Sequence, residues 1–125
     1  NRLIPITINS CIKDNFFSCT EGSQLRDFLY VGDFCKLIIK ILKTKKIKSG
    51  IYNVGSGKAI KVKKIISLIR EIISRGNPLY GKIKMRKEEM NASYPKILKV
   101  KKTFNWQPKT KIFDGLKKTI RFYEK

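Results

Sequence analysis

The chain has 125 residues, 42% of them hydrophobic and 30% charged. That length and balance suit one folded α/β-sized domain with its own core and exclude a disordered tail. Lys and Arg number 29 against 9 Asp and Glu, and the net charge of +20 points either to an anionic partner or to lysines spread over solvated faces.

The first predicted element is a helix over 3–12, with Leu3, Ile4, Ile8, Cys11 and Ile12 on one face and Pro5 in its first turn. Asp14-Asn15 reads as a turn and 16–19 as a short strand. Glu21-Gly22-Ser23 reads as a second turn, and 26–31 as a strand through Phe28, Leu29, Tyr30 and Val31. Asp33 is a candidate N-cap for a helix whose Phe34, Leu37, Ile38, Ile41 and Leu42 recur at core-facing spacing. Lys43, Lys45, Lys46 and Lys48 crowd the end of that helix, and Gly50 stops it. A strand over 51–54 and a Gly55-Ser56-Gly57 turn follow. The clearest helix is 62–73, striped by Val62, Ile65, Ile66, Ile69, Ile72 and Ile73, with Gly76-Asn77-Pro78 as its stop. Residues 80–86 form an ambiguous stretch, read as a short strand. A short helix over 96–104 breaks at Asn105-Trp106-Gln107-Pro108, and a last helix over 112–123 turns Phe113, Leu116, Ile120 and Tyr123 inward. This order makes an α/β layer, and periodicity alone carries the argument no further than that.

Cys11, Cys19 and Cys35 are three, an odd number, with no Cys-x-x-Cys and no histidine in the chain. That excludes a Ser-His or Cys-His nucleophile pair and leaves too few ligands for zinc, so the expectation is no metal and buried free thiols in a reducing, cytoplasmic setting. No apolar run approaches the ~20 residues of a membrane helix. The chain starts at Asn1 rather than Met, which reads as part of a longer product.

Specific chemistry begins with three phrases. They are Gly22-Ser-Gln-Leu-Arg26-Asp27-Phe28-Leu-Tyr-Val31-Gly-Asp33, then Tyr52-Asn53-Val54-Gly55-Ser56-Gly57 before a helix, then Asn105-Trp106-Gln107-Pro108 ahead of Gly115-Leu116. With the opening Arg2-Leu3-Ile4-Pro5 they resemble, in order and separation, the C-terminal region of extended short-chain dehydrogenase/reductases that act on nucleotide sugars, the NAD-dependent sugar-nucleotide epimerases and dehydratases. The likeness covers essentially all of residues 1–125. It implies a small mixed α/β substrate-binding domain of an extended SDR whose Rossmann half lies outside this chain.

The resemblance implies roles residue by residue. Arg26 would contact the diphosphate of an NDP-sugar, where a guanidinium fork suits phosphate oxygens; pairing with Asp27 or capping a strand end is the alternative. Arg86 would be the second phosphate clamp and Glu89 would accept from ribose hydroxyls, against the alternative of a charged surface run at Arg86-Lys87-Glu88-Glu89. Phe17 and Cys19 share one strand face and would line the base, or simply pack in the core. Asn1 and Arg2 align with a loop near the phosphates in which the family often carries asparagine; Arg2 departs from that form. Gly55-Ser56-Gly57 lacks the full Gly-x-Gly-x-x-Gly spacing and is read as a structural turn.

The family's chemistry uses NAD or NADP and a Tyr-x-x-x-Lys pair. Tyr80 and Lys84 match the bare spacing but follow a proline-containing loop, so the match is read as coincidence. The expectation is therefore that this chain alone carries no catalytic residue and binds no cofactor, while the parent enzyme uses NAD(P). The implied partners are an NDP-sugar and the missing N-terminal Rossmann half, with a homodimer of the parent allowed. A basic nucleic-acid-binding module and an inactive remnant are the rival readings. The first would need clustered lysines and exposed stacking aromatics.

Overall fold

The computed structural model describes residues 2–47 and 49–124. Five helices and five short strands follow in the order α1 (Leu3–Ile12), β1 (Phe16–Ser18), β2 (Leu25–Arg26), α2 (Val31–Leu42), β3 (Ile60–Lys61), α3 (Val62–Ile73), β4 (Asn77–Leu79), β5 (Ala92–Ser93), α4 (Leu98–Phe104) and α5 (Ile112–Tyr123). Helices α1, α3 and α5 form where the 3.6-residue stripe demands burial. Ile8 and Cys11 of α1, Ile65 and Ile69 of α3, and Leu116 and Ile120 of α5 close into the main core. A second core joins Leu37 of α2 to Val100 and Phe104 of α4 and to Trp106.

The strands make two small sheets. Strand β1 pairs parallel with β4, Phe17 opposite Pro78, and the ladder continues where Cys19 N–H donates to Leu79 O at 2.9 Å. In the other sheet β2 is central, antiparallel to β3 and parallel to β5. The result is a small mixed α/β domain.

Several expectations are corrected. The strand read over 26–31 is only Leu25–Arg26, because Val31 already opens α2. Asp33 is not the N-cap: Tyr30 holds that position without a side-chain bond, and Asp33 lies in the first helical turn. Its carboxylate turns inward and accepts from the N–H groups of Lys109, at 3.0 Å, and Thr110, at 2.7 Å. Of the α2 stripe only Leu37 is buried, with Ile41 half-buried, while Phe34, Ile38 and Leu42 are exposed by 41%, 40% and 78%. Cys35 is exposed too, unlike Cys11 and Cys19. Residues 51–54 belong to no strand among the described residues. Gly76-Asn77-Pro78 is not the stop of α3: left-handed Ser74 (φ 60°) closes that helix, and Asn77–Leu79 is a strand. Beyond it, 80–86 forms no strand, and α4 starts at Leu98 rather than 96. Lys48, placed by sequence at the end of α2, lies outside the described residues.

Candidate functional site

The short turn after β1 depends on Gly22, whose φ of +68° and tight approach to α3 admit no side chain: a Cβ there would lie 2.7 Å from Lys63 N. This close approach sets β1, the start of α3 and α1 around a cleft of about 410 Å³. Leu3, Phe17, Val62 and Ile66 give it an apolar floor. Lys84, Arg86 and Glu89, from the segment after β4, give it a charged rim. A volume of this size lies within the roughly 300–1,000 Å³ range of small-molecule sites.

Four of the residues picked out from sequence meet here: Phe17, Cys19, Arg86 and Glu89. Arg86 is exposed, and a turn closed by Glu89 N–H donating to Arg86 O at 3.1 Å carries both side chains to one rim. Arg26, from β2, is not among the residues lining the cleft and borders a neighbouring depression with Asp27, Asn53 and Tyr94, but it pairs with Glu89 of the rim. Its Nη2 donates to Glu89 Oε1, and its Nη1 donates to the carbonyls of Leu25, at 2.7 Å, and Met90, at 2.9 Å. The guanidinium is thus fixed across the strand end beside the cleft, with Glu89 between it and the Arg86 turn.

The alternative pairing of Arg26 with Asp27 does not form. Asp27 instead accepts from the N–H groups of Ser56 (2.7 Å), Gly57 (2.7 Å) and Lys58 (3.2 Å), and from the Ser56 hydroxyl at 2.8 Å. The Gly-Ser-Gly loop therefore spends its backbone donors on a carboxylate of its own chain. A dinucleotide diphosphate needs those donors free, so this loop does not fit that role. Arg2 is exposed just ahead of α1 and is not among the residues lining the cleft. Asn1 lies outside the described residues.

Cys19 contributes a protonated, weakly polar surface. Burial pushes its thiol above the ordinary value, and its Sγ lies 3.7 Å from Phe17 O. Burial does the same to Cys11. Among the described residues no group of three or more His, Cys, Asp or Glu is placed to hold a metal. Tyr80 sits after β4 rather than on a helix; its hydroxyl lies 3.4 Å from Ser67 Oγ, and the Lys63 ammonium stands 4.6 Å over its ring. Its partners are thus on α3, while Lys84 lines the cleft.

Sequence reasoning missed Gln24 and Lys84, both on the cleft. Gln24 stands two residues before Arg26, and its Oε1 is buried without a hydrogen-bond partner among the described residues. It lies just ahead of β2, and no pattern in the sequence marks it.

The profile of the GDP-mannose 4,6-dehydratase family matches residues 2–119. The chain belongs to this family. It corresponds to a part of the family's sugar-nucleotide epimerases and dehydratases, which are extended short-chain dehydrogenase/reductases. The CDP-abequose synthase of Salmonella muenchen is 30% identical over 98% of this chain, which spans 42% of that protein. A putative UDP-glucose 4-epimerase of Methanocaldococcus jannaschii is 33% identical over 82% of this chain and is covered over 32% of its length. The fold agrees with the UDP-glucuronic acid 4-epimerase of Bacillus cereus, solved with UDP-glucuronic acid and NAD, at a TM-score of 0.87, 22% identity, and coverage of 99% of this chain and 40% of that one. The chain spans about two fifths of these family members at most. No described helix is long and apolar enough to cross a membrane.

Proposed function

We propose that residues 1–125 form the nucleotide-sugar-binding part of an NAD(P)-dependent epimerase, 4,6-dehydratase or related 4-reductase. The observation that carries this reading is the meeting of Arg86 and Glu89 at the rim of one cleft with an apolar floor, with Arg26 tied to that rim through its pairing with Glu89. A nucleoside diphosphate has matching chemistry: a flat base, a diol and two phosphates in a row.

In this reading Phe17 and Cys19 face the base, Glu89 accepts from the ribose hydroxyls, and Arg86 and Arg26 hold the diphosphate. Without ligand, Glu89 neutralises Arg26. A bound diphosphate takes over the guanidinium and leaves Glu89 for the sugar. Gln24 Oε1, buried and unpartnered, accepts an N–H or O–H of the ligand. Arg2 adds cationic attraction at the entrance to α1. NAD(P), when bound by the whole enzyme, supplies hydride acceptance and return; this chain orients the sugar nucleotide and carries no catalytic residue of its own. The companion is an N-terminal Rossmann segment, and the parent enzyme is allowed to form a homodimer. A cytoplasmic location goes with three free cysteines, and polysaccharide-precursor synthesis goes with the substrate class.

A thermal-shift panel of UDP, dTDP, CDP and GDP, each free and as its glucose conjugate, tests the reading. A ligand at 100 times its Kd adds about 2.7 kcal/mol to the folded state. One base should stabilise the chain well beyond the others and beyond inorganic pyrophosphate. No stabilisation by any nucleotide, with salt-sensitive retardation of DNA in its place, would overturn it in favour of a nucleic-acid module.

A further inference from the structure

A second cleft, of about 750 Å³, lies beside the second core, where α2, α4 and the turn after α4 meet. Lys36 and Lys40 stand one turn apart on α2, Lys101 comes from α4, and Lys109 from the segment that leads into α5. All four residues are exposed. Three separate stretches of chain thus bring ammonium groups to one concavity, a convergence that the fold creates and the sequence does not display.

This charge is not balanced locally. The one carboxylate among the lining residues is Asp33, which is buried. It accepts from the main-chain N–H groups of Lys109 and Thr110 and lies 3.4 Å from Lys36 Nζ. Lys40 Nζ donates to Asn105 O at 2.8 Å, an uncharged partner. Among the described residues the ammonium groups of Lys101 and Lys109 take part in no hydrogen bond or ion pair. Four cations around one concavity repel one another. A single carboxylate already held by backbone donors offsets at most one of them, and a multivalent anion relieves the rest.

The residue types select the anion. No arginine lines the cleft, so no planar fork is offered to a carboxylate. Lysine acts as a point charge and suits compact tetrahedral oxyanions. Trp106 packs in the second core, and its Nε1 donates to Asp33 O at 3.2 Å. No other aromatic lines the cleft, so no free ring face is offered for stacking a base. We propose that this cleft is an anion site for a small molecule bearing a chain of phosphates, held by Lys36, Lys40, Lys101 and Lys109 through its phosphate oxygens alone. The site stands apart from the nucleotide-sugar cleft and does not rest on that reading.

Trp106 is the only tryptophan in the chain and lines this cleft, so its fluorescence reports on the site directly. Inorganic triphosphate, titrated at low ionic strength, should change Trp106 emission saturably with a Kd below about 1 mM. Lys101→Gln/Lys109→Gln should raise that Kd about tenfold. Lys13→Gln/Lys64→Gln removes the same charge from exposed positions that line neither cleft, and should leave the Kd within about twofold. A nucleoside triphosphate should bind within about fivefold of the inorganic anion, and a larger preference would overturn recognition by phosphates alone. A Kd above that limit, an equal loss in both double variants, or an equal response to sodium sulfate at matched ionic strength would overturn the site itself, the last by reducing it to ion screening. So would an oligodeoxythymidylate that moves Trp106 emission where triphosphate does not, which would make the occupant a nucleic-acid backbone.

Discussion

Arg26 and Glu89 are bound to each other, and their side chains are 24% and 29% exposed. The guanidinium also anchors two carbonyls, so its position is set before any ligand arrives. Lysine cannot reproduce that fork. Arg26→Lys should raise the Kd for the preferred nucleoside diphosphate about tenfold or more, the equivalent of one lost charge-assisted hydrogen bond. Titration calorimetry checks this, and an unchanged Kd would remove Arg26 from the site. Asp33 is the other informative residue. It is 1% exposed, and burial alone would push its carboxyl up. The N–H groups of Thr110 and Lys109 and the Lys36 ammonium outweigh that and bring it below its ordinary value. A depressed folded value means the stabilisation is complete above the unfolded pKa, near 3.9, and is lost as pH falls through the folded one. Wild type should therefore lose Tm steadily below about pH 4. Asp33→Asn should be less stable at pH 7 by about 1–3 kcal/mol, with a flatter profile under acid, in melts across pH.

At the scale of elements, α1, α3 and α5 were legible because each stripe meets its partner inside the chain. Helix α2 was misread for a physical reason: periodicity shows that Phe34, Ile38 and Leu42 share a flank with Leu37's helix but not whether a partner is within reach. The two-residue strands β2, β3 and β5 carry too little sequence for any alternation to register, and their pairing is set by tertiary packing. Turn chemistry was partly visible. Gly22 was placed in a turn, yet its contact with Lys63 N follows only from the fold. Gly22→Ala should cost about 1–3 kcal/mol from its left-handed backbone, with the clash against α3 added, in urea unfolding. It should also weaken nucleotide binding, because the cleft wall shifts with it. Full stability in that variant would mean the turn is not what sets the cleft.

For the whole molecule, the Arg86-x-x-Glu89 spacing and the Arg26 phrase were readable because they came as motifs, and Phe17 with Cys19 because alternate strand residues share a face. Lys84 could not be read, since only the path from β4 brings it to the cleft. The charge of +20 is scattered over helices, and its lysines cap rings and helix ends, as Lys99 does over Tyr52 at 4.6 Å. The central claim is that a nucleoside diphosphate sits between α1, β1 and the Arg86–Glu89 turn. A backbone-amide NMR titration of the chain with its preferred nucleoside diphosphate tests it most directly. Saturable shifts should centre on Phe17, Cys19, Gln24, Arg26, Arg86 and Glu89. Shifts centred on the α2–α4 lysines, or none at millimolar ligand, would contradict it.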